Sequence, residues 1–187
     1  MPMPLPTFDD VLAAAARIAP HAHATPVLRS RALDALAGCQ LHFKAEPLQR
    51  TGAFKFRGAC NAVWALDEAI AARGVVTHSS GNHGAALALA AQTRGIACHV
   101  VVPEGANAAK LANIARYGAH LHTCAATIDA REAAAARVGA EEATHMVLTR
   151  PQGILDDLPP GQLPPLPARP PVPERRAGFW QRLFGTA

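Results

Sequence analysis

The sequence predicts an α/β fold, a parallel sheet flanked by helices, and three observations carry that expectation. Short, nearly continuous apolar runs recur, the clearest being Val75-Val76 and the ACHVVV stretch at 97–102. Alanine-rich stretches of helical spacing alternate with them. Glycines stand where those stretches should stop, at Gly74, Gly95 and Gly118, the residue type that tolerates a left-handed helix end. Strands buried on both faces lose the polar alternation of a half-exposed sheet, so this texture points to strands covered by helices on each side.

Each element follows from local chemistry. Thr7 and Asp10 form a capping-box pattern ahead of Phe8, Val11, Leu12, Ala15 and Ile18, which keep helical spacing until Pro20. Thr25-Pro26 is extended. A short helix is expected over 29–37, ended by Gly38, and a strand over 41–46. One long helix is expected over 54–72. Strand 75–78 then leads to helix 82–94, strand 97–102, a helix over 106–117, strand 119–124, a helix over 127–142 capped by Thr127 or Asp129, and strand 144–148. Crossovers between parallel strands should be right-handed, with a ligand at the carboxyl ends of the strands.

Composition narrows the function classes. Half of the 187 residues are hydrophobic, enough for a packed core. The net charge of +4 comes mostly from arginine, and Arg175-Arg176 is the one basic pair after the helices, so no nucleic-acid footprint is expected. The only lysines are Lys44, Lys55 and Lys110. Cys39, Cys60, Cys98 and Cys124 are widely spaced, which argues for buried free thiols rather than a zinc or redox motif. The His21-x-His23 pair could ligate a metal only with further placed ligands, and no metal site is expected. No apolar run approaches the roughly 20 residues of a membrane span, and acidic residues stand where a secretory leader needs a basic start. A cytoplasmic protein with no membrane partner is the expectation.

Two stretches carry chemistry. Residues 49–59 read QRTGAFKFRGA, with Lys55 between Phe54 and Phe56. Thr51 is placed as the N-cap of the following helix, and the two aromatics are expected to desolvate the Lys55 amine. An uncharged amine is what Schiff-base chemistry requires; the alternative is a snorkelling surface lysine. Residues 77–84 read THSSGNHG between a strand and a helix. Backbone N–H groups at such a turn suit a carboxylate or phosphate, though a turn of this composition is also an ordinary cap. A dinucleotide-binding domain would need a G-x-G-x-x-G after a strand, and none is present.

Taken in order, His23-Ala24-Thr25-Pro26-Val27-Leu28, Phe43-Lys44-Ala45-Glu46, the segment Thr51 to Ala59, Ser79 to Gly84, Val101-Val102-Pro103 and Tyr117-Gly118-Ala119 resemble the pyridoxal-phosphate-dependent serine racemase and threonine/serine dehydratase family, fold type II. The resemblance covers about residues 7–147. It implies that Lys55 binds the cofactor covalently, that Phe54 packs on its ring, and that Asn82 bonds its 3-hydroxyl. It implies that Ser79, Ser80, Gly81, Asn82 and His83 hold the substrate carboxylate. Ser80 would act as acid or base on the face opposite Lys55. The implied reaction is dehydration with deamination, or racemisation, of serine or threonine, and a full-length family chain would form a homodimer. Ala85 stands where serine racemases commonly carry glutamine, which bears on substrate specificity. The implied organisation is residues 1–74 as the first part of a large domain, 75–147 as a small domain, and 148–187 as a tail.

After Leu148 the texture changes. Nine of the sixteen prolines lie in 149–187, and the segment is expected to be disordered. The family's glycine-rich phosphate loop and divalent-metal ligands have no counterpart there. A frame change or truncation near codon 148, or a short form with a binding role, would produce this pattern. The expectations are weak or absent pyridoxal phosphate binding and negligible turnover by these 187 residues. The alternatives are an inactive fragment or an interaction protein using the tail, where Pro170 to Arg175 fits a P-x-x-P-x-R polyproline ligand.

Overall fold

The structure, a computed structural model, describes residues 6–142 and 144–147, which belong to one compact unit. The proline-rich tail and its polyproline motif lie outside the described residues. Helices α1 (Phe8–Ile18), α2 (Arg31–Ala37), α3 (Lys55–Ala65) and α4 (Glu68–Ala71) precede the main sheet, together with the short strands β1 (Val27–Leu28) and β2 (Phe43–Lys44). Then β3 (Val75–His78), α5 (Asn82–Arg94), β4 (Cys98–Pro103), α6 (Ala108–Ala115), β5 (His120–Cys124), α7 (Ile128–Glu141) and β6 (His145–Met146) follow in alternation.

The main sheet is parallel throughout, in the order β5-β4-β3-β6. Val75 pairs with Cys98 on one side and with His145 on the other, so the first strand of the alternation sits between the second and the last. Helices cover both faces. On one, Val75, Val100 and Val102 pack with Leu87 of α5, Ile114 of α6, and Phe56 and Val63 of α3. On the other, Val76 and Val101 pack with Ala135 and Val138 of α7. Fully burying a valine or leucine side chain is worth about 1.5–3 kcal/mol, so these strands are the firmest part of the molecule. The small side chains of α5, Ala85, Ala86, Ala88, Ala90 and Ala91, let that helix lie close to both the sheet and α3.

Local signals set the ends. Thr7 accepts from Asp10 N, and the Asp10 side chain accepts from Thr7 N, completing the capping box. Gly38 and Gly95 close α2 and α5 in the left-handed conformation. Thr127, not Asp129, caps α7.

Four expectations are corrected. The helix over 54–72 is two helices. Leu66 turns extended and the Asp67 side chain accepts from Ile70 N, so a local cap competes with continuation. The strand over 41–46 shrinks to Phe43–Lys44, because the Glu46–Leu48 3₁₀ turn, with Pro47 in its first positions, takes the chain out of the ladder. Thr51 is not an N-cap: its φ is +60°, Gly52 follows at +72°, and α3 starts at Lys55 with no side-chain cap. Cys39 is exposed and Cys124 half-buried, so only Cys60 and Cys98 are sequestered thiols, with burial raising them to about 11 and about 12.

Candidate active site

The carboxyl end of β3 delivers the chain into the turn Ser79, Ser80, Gly81, and α5 begins at once with Asn82. The turn is pinned by Ser79 N donating to Val101 O at 3.0 Å and by Gly81 N donating to Ser79 Oγ at 3.3 Å. No side chain caps α5, so no side chain satisfies the first backbone N–H groups of the helix, which suits a carboxylate. Gly84 makes the turn possible. A Cβ there would lie 2.4 Å from Ser79 O and 3.1 Å from Ile114 Cδ1.

Lys55 comes from α3, which packs against α5. The left-handed pair Thr51-Gly52 reverses the chain, and Lys55 becomes the first residue of α3. Its Nζ lies 5.0 Å from the centre of the Phe54 ring. The expected double desolvation does not occur. Phe56 turns into the core, fully buried, but Phe54 remains 58% exposed and Lys55 itself is half-buried. Next-neighbour aromatics on a helix point in different directions, so adjacency in sequence does not enclose the residue between them.

A cleft of about 260 Å³ is lined by Phe54, Lys55, Arg57, Gly58, Ala59, Ala62, His83 and Val147. It brings together three residues singled out in the sequence: Phe54, Lys55 and His83. Ser79, Ser80, Gly81 and Asn82 share the turn with His83 but do not line the cleft. His83 is buried, with Nε2 3.5 Å from Val147 O. Burial holds its imidazole below the ordinary value of 6.5, and Lys55 and His78 add to that.

Sequence reasoning gave no role to Arg57 or Glu46. Arg57 Nε donates to Glu46 Oε2 at 2.9 Å and Arg57 Nη2 donates to Glu46 Oε1 at 2.7 Å. The guanidinium holds the Glu46 carboxyl down at about 2. A charge pair eleven residues apart across a turn leaves no periodic signal; the available sign was an Arg directly following the lysine segment. His21 packs on Trp64, ring centres 4.0 Å apart, and His23 Nδ1 lies 3.2 Å from Leu48 O, so each of these histidines already has a neighbour of its own.

The residues present fit an aromatic aldehyde together with a separate carboxylate. A primary amine and an exposed aromatic ring border one cleft, and an uncapped helix start lies beside it. The Thr51 hydroxyl, buried and without a partner, stands four residues before the lysine.

Comparison with known proteins agrees. Residues 18–153 match the family model described as pyridoxal-phosphate dependent enzyme. A serine racemase of Oryza sativa subsp. indica is 52% identical over 138 residues, 74% of this chain and 40% of that protein. A beta-hydroxyaspartate dehydratase of Paracoccus denitrificans (strain Pd 1222) is 50% identical over 139 residues, 74% of this chain and 44% of that protein. The crystal structure of a threonine deaminase from T.th. superposes with a TM-score of 0.70 at 40% identity, covering 76% of this chain and 45% of that one. The chain thus spans less than half the length of the relatives it matches. With a family model matched over most of its length and a parallel sheet flanked by helices that superposes on a solved relative, this chain belongs to the pyridoxal-phosphate-dependent enzymes of fold type II.

Proposed function

We propose that this chain carries the lysine and substrate-carboxylate elements of a site that removes the α-proton of a small hydroxy-amino acid, serine or threonine, leading to dehydration with deamination or to racemisation. The observation that supports the reading most is the shared cleft: the Lys55 amine, the Phe54 ring and the buried His83 border one space of about 260 Å³, close to the lower end of the usual range for small-molecule sites. Pyridoxal phosphate, when bound, supplies the electron sink that makes an α-proton removable.

The chain's own residues divide the remaining work. Lys55 would hold the cofactor aldehyde, and its free amine would serve as the base at the substrate Cα–H. The Phe54 ring offers a flat apolar face beside the amine. Ser79, Ser80, Gly81, Asn82 and His83 hold the substrate carboxylate through hydroxyls and the uncapped start of α5, which fixes the direction of the Cα–H bond. Asn82 would hold the cofactor at its 3-hydroxyl. Ser80 serves the opposite face; a proton returned from there inverts the centre. Residues 75–147 act as the smaller unit that closes over substrate against 1–74.

For these 187 residues alone the reading is weak cofactor binding and little turnover. A phosphate dianion is ordinarily held by several backbone N–H groups, each a charge-assisted bond of roughly 1.5–3 kcal/mol, and Gly153, Gly161 and Gly178 stand singly in the sequence rather than as a glycine-rich run. Titrating purified protein with pyridoxal phosphate, while following the absorbance of the lysine adduct, tests the reading. An adduct absent from Lys55→Ala is expected, with 2-oxo acid and D-serine formation near background. An adduct of equal strength in Lys55→Ala would contradict the lysine assignment, and robust turnover would contradict the weak-binding reading.

A further inference from the structure

The start of α3 is unusual in how it is held. Its N-terminus has no side-chain cap, and the two residues that reverse the chain ahead of it, Thr51 and Gly52, are both left-handed. The wall of the cleft beyond the lysine is made of Gly58, Ala59 and Ala62, which offer little side-chain bulk, while Phe56, Cys60 and Val63 seat the buried face of the helix in the core. On the cleft side the first turn is held by Arg57, two residues after Lys55. Besides its two bonds to the Glu46 carboxylate, its Nη2 donates to Thr25 Oγ1 at 3.1 Å and to His23 O at 3.2 Å. Glu46 in turn accepts from Thr25 Oγ1 at 2.6 Å.

The anchor for these bonds is itself fixed. The buried Gln49 side chain accepts from His23 N and donates to His23 O, both at 2.9 Å, locking residues 23–25 to the 46–50 segment. Arg50 lies over the Phe56 ring, 5.7 Å from its centre. A two-bond guanidinium–carboxylate pair admits essentially one relative orientation, unlike a lysine–carboxylate contact. The Arg57 guanidinium holds the Glu46 carboxyl well below its ordinary value, which favours the charged pair.

We propose that Glu46 and Arg57 are positioning residues that set the rotation of the first turn of α3 and so aim the Lys55 amine into the cleft; the proposal rests on the reading of Lys55 as the cofactor lysine. The two charges largely cancel, so the pair acts by geometry more than by field. Arg57 lines the cleft, and its Nε and Nη2 are engaged by Glu46, Thr25 and His23.

The test uses the whole 187-residue chain, whose three lysines serve as mutual controls. Each protein is reacted with pyridoxal phosphate and, separately, with formaldehyde. The adducts are reduced, and Lys55, Lys44 and Lys110 are quantified by peptide mass spectrometry. Formaldehyde needs no aligned approach; the ring-bearing aldehyde does. In the native chain the Lys55:Lys110 ratio should be higher for pyridoxal phosphate than for formaldehyde. In Glu46→Gln and in Arg57→Lys, which keeps the charge, the pyridoxal phosphate ratio should fall about tenfold, the size of effect expected from a sub-ångström to ångström misplacement, while the formaldehyde ratio holds. Thr25→Val, a milder change, should give a smaller fall of the same kind. Unchanged pyridoxal phosphate ratios, or both ratios moving together as local unfolding would move them, would overturn the clamp. A native chain with no Lys55 preference at all would instead overturn the lysine assignment on which it rests.

Discussion

Two regions of this molecule have comparable apolar content and opposite fates. In the alternating segment, Val75, Val76, Leu87, Val100, Val101 and Val102 are all at most 1% exposed. In the segment before Lys55, Phe8 is 73% exposed, Val11 54%, Leu12 52%, Leu36 50% and Leu48 59%. The N-terminal elements are nonetheless well formed, because the capping box of α1 and the left-handed Gly38 are satisfied locally. Periodicity and caps decide where an element starts and stops; burial needs a facing surface. The Lys55 turn lies at the border between the two regions, with Phe56 and Cys60 in the common core and Phe54 outside it.

The largest effects should separate the regions cleanly. Leu87→Ala opens a cavity in the middle of the sheet–helix packing and should cost about 2–5 kcal/mol, whereas Leu12→Ala removes an exposed side chain and should change stability by less than about 0.5 kcal/mol. Urea denaturation of both variants checks this; equal losses would mean that α1 is buried in solution. Gly84→Ala comes next. Its Cβ meets Ser79 O at 2.4 Å, so α5 must move off the serine turn, at about 1–3 kcal/mol, with a loss of any carboxylate-dependent protection of that turn in hydrogen exchange. A variant as stable as the parent would show that the turn yields easily.

Smaller effects come from protons. Burial holds His83 and His99 below the ordinary 6.5, and for His99 the neighbours His120 and His122 lower it further while Glu142 opposes them. The folded state therefore binds these protons less readily than the unfolded chain. Their contribution is full above pH 6.5 and is lost as pH falls from there through their lowered values. Glu46 behaves likewise in a more acidic window. Its stabilisation is present above its ordinary 4.5 and is lost as pH falls towards about 2. Denaturation midpoints should decline in two stages, and His99→Phe should shrink the first. A single acid transition unaffected by that substitution would contradict the assignment. Asp67→Ala, which removes the cap of α4, should cost about 1 kcal/mol, read as a small drop in melting temperature.

How much was legible follows the same division. The alternation from β3 to α7, its glycine stops and the placement of the serine turn at the end of β3 could be read from sequence, because each depends on contacts a few residues apart. The break at Leu66-Asp67 could not, since an alanine-rich helical pattern runs through it and only the competing Asp67 cap interrupts it. The left-handed Thr51 was hidden because threonine seldom adopts that conformation. The pairing of Glu46 with Arg57 and the place of β6 beside β3 depend on tertiary contacts that no local pattern encodes. Of the site residues, Phe54, Lys55 and His83 meet at one cleft, and the exposure of Phe54 is a matter of direction on the helix that motif matching does not supply.

The most direct test of the account is to map where a reducible pyridoxal phosphate adduct forms on the native 187-residue chain. With three lysines available, reduction and peptide mapping give an unambiguous distribution. The account predicts that Lys55 carries most of the label at cofactor concentrations where Lys44 and Lys110 carry little. Label spread evenly over the three lysines, or concentrated on Lys110, would contradict it.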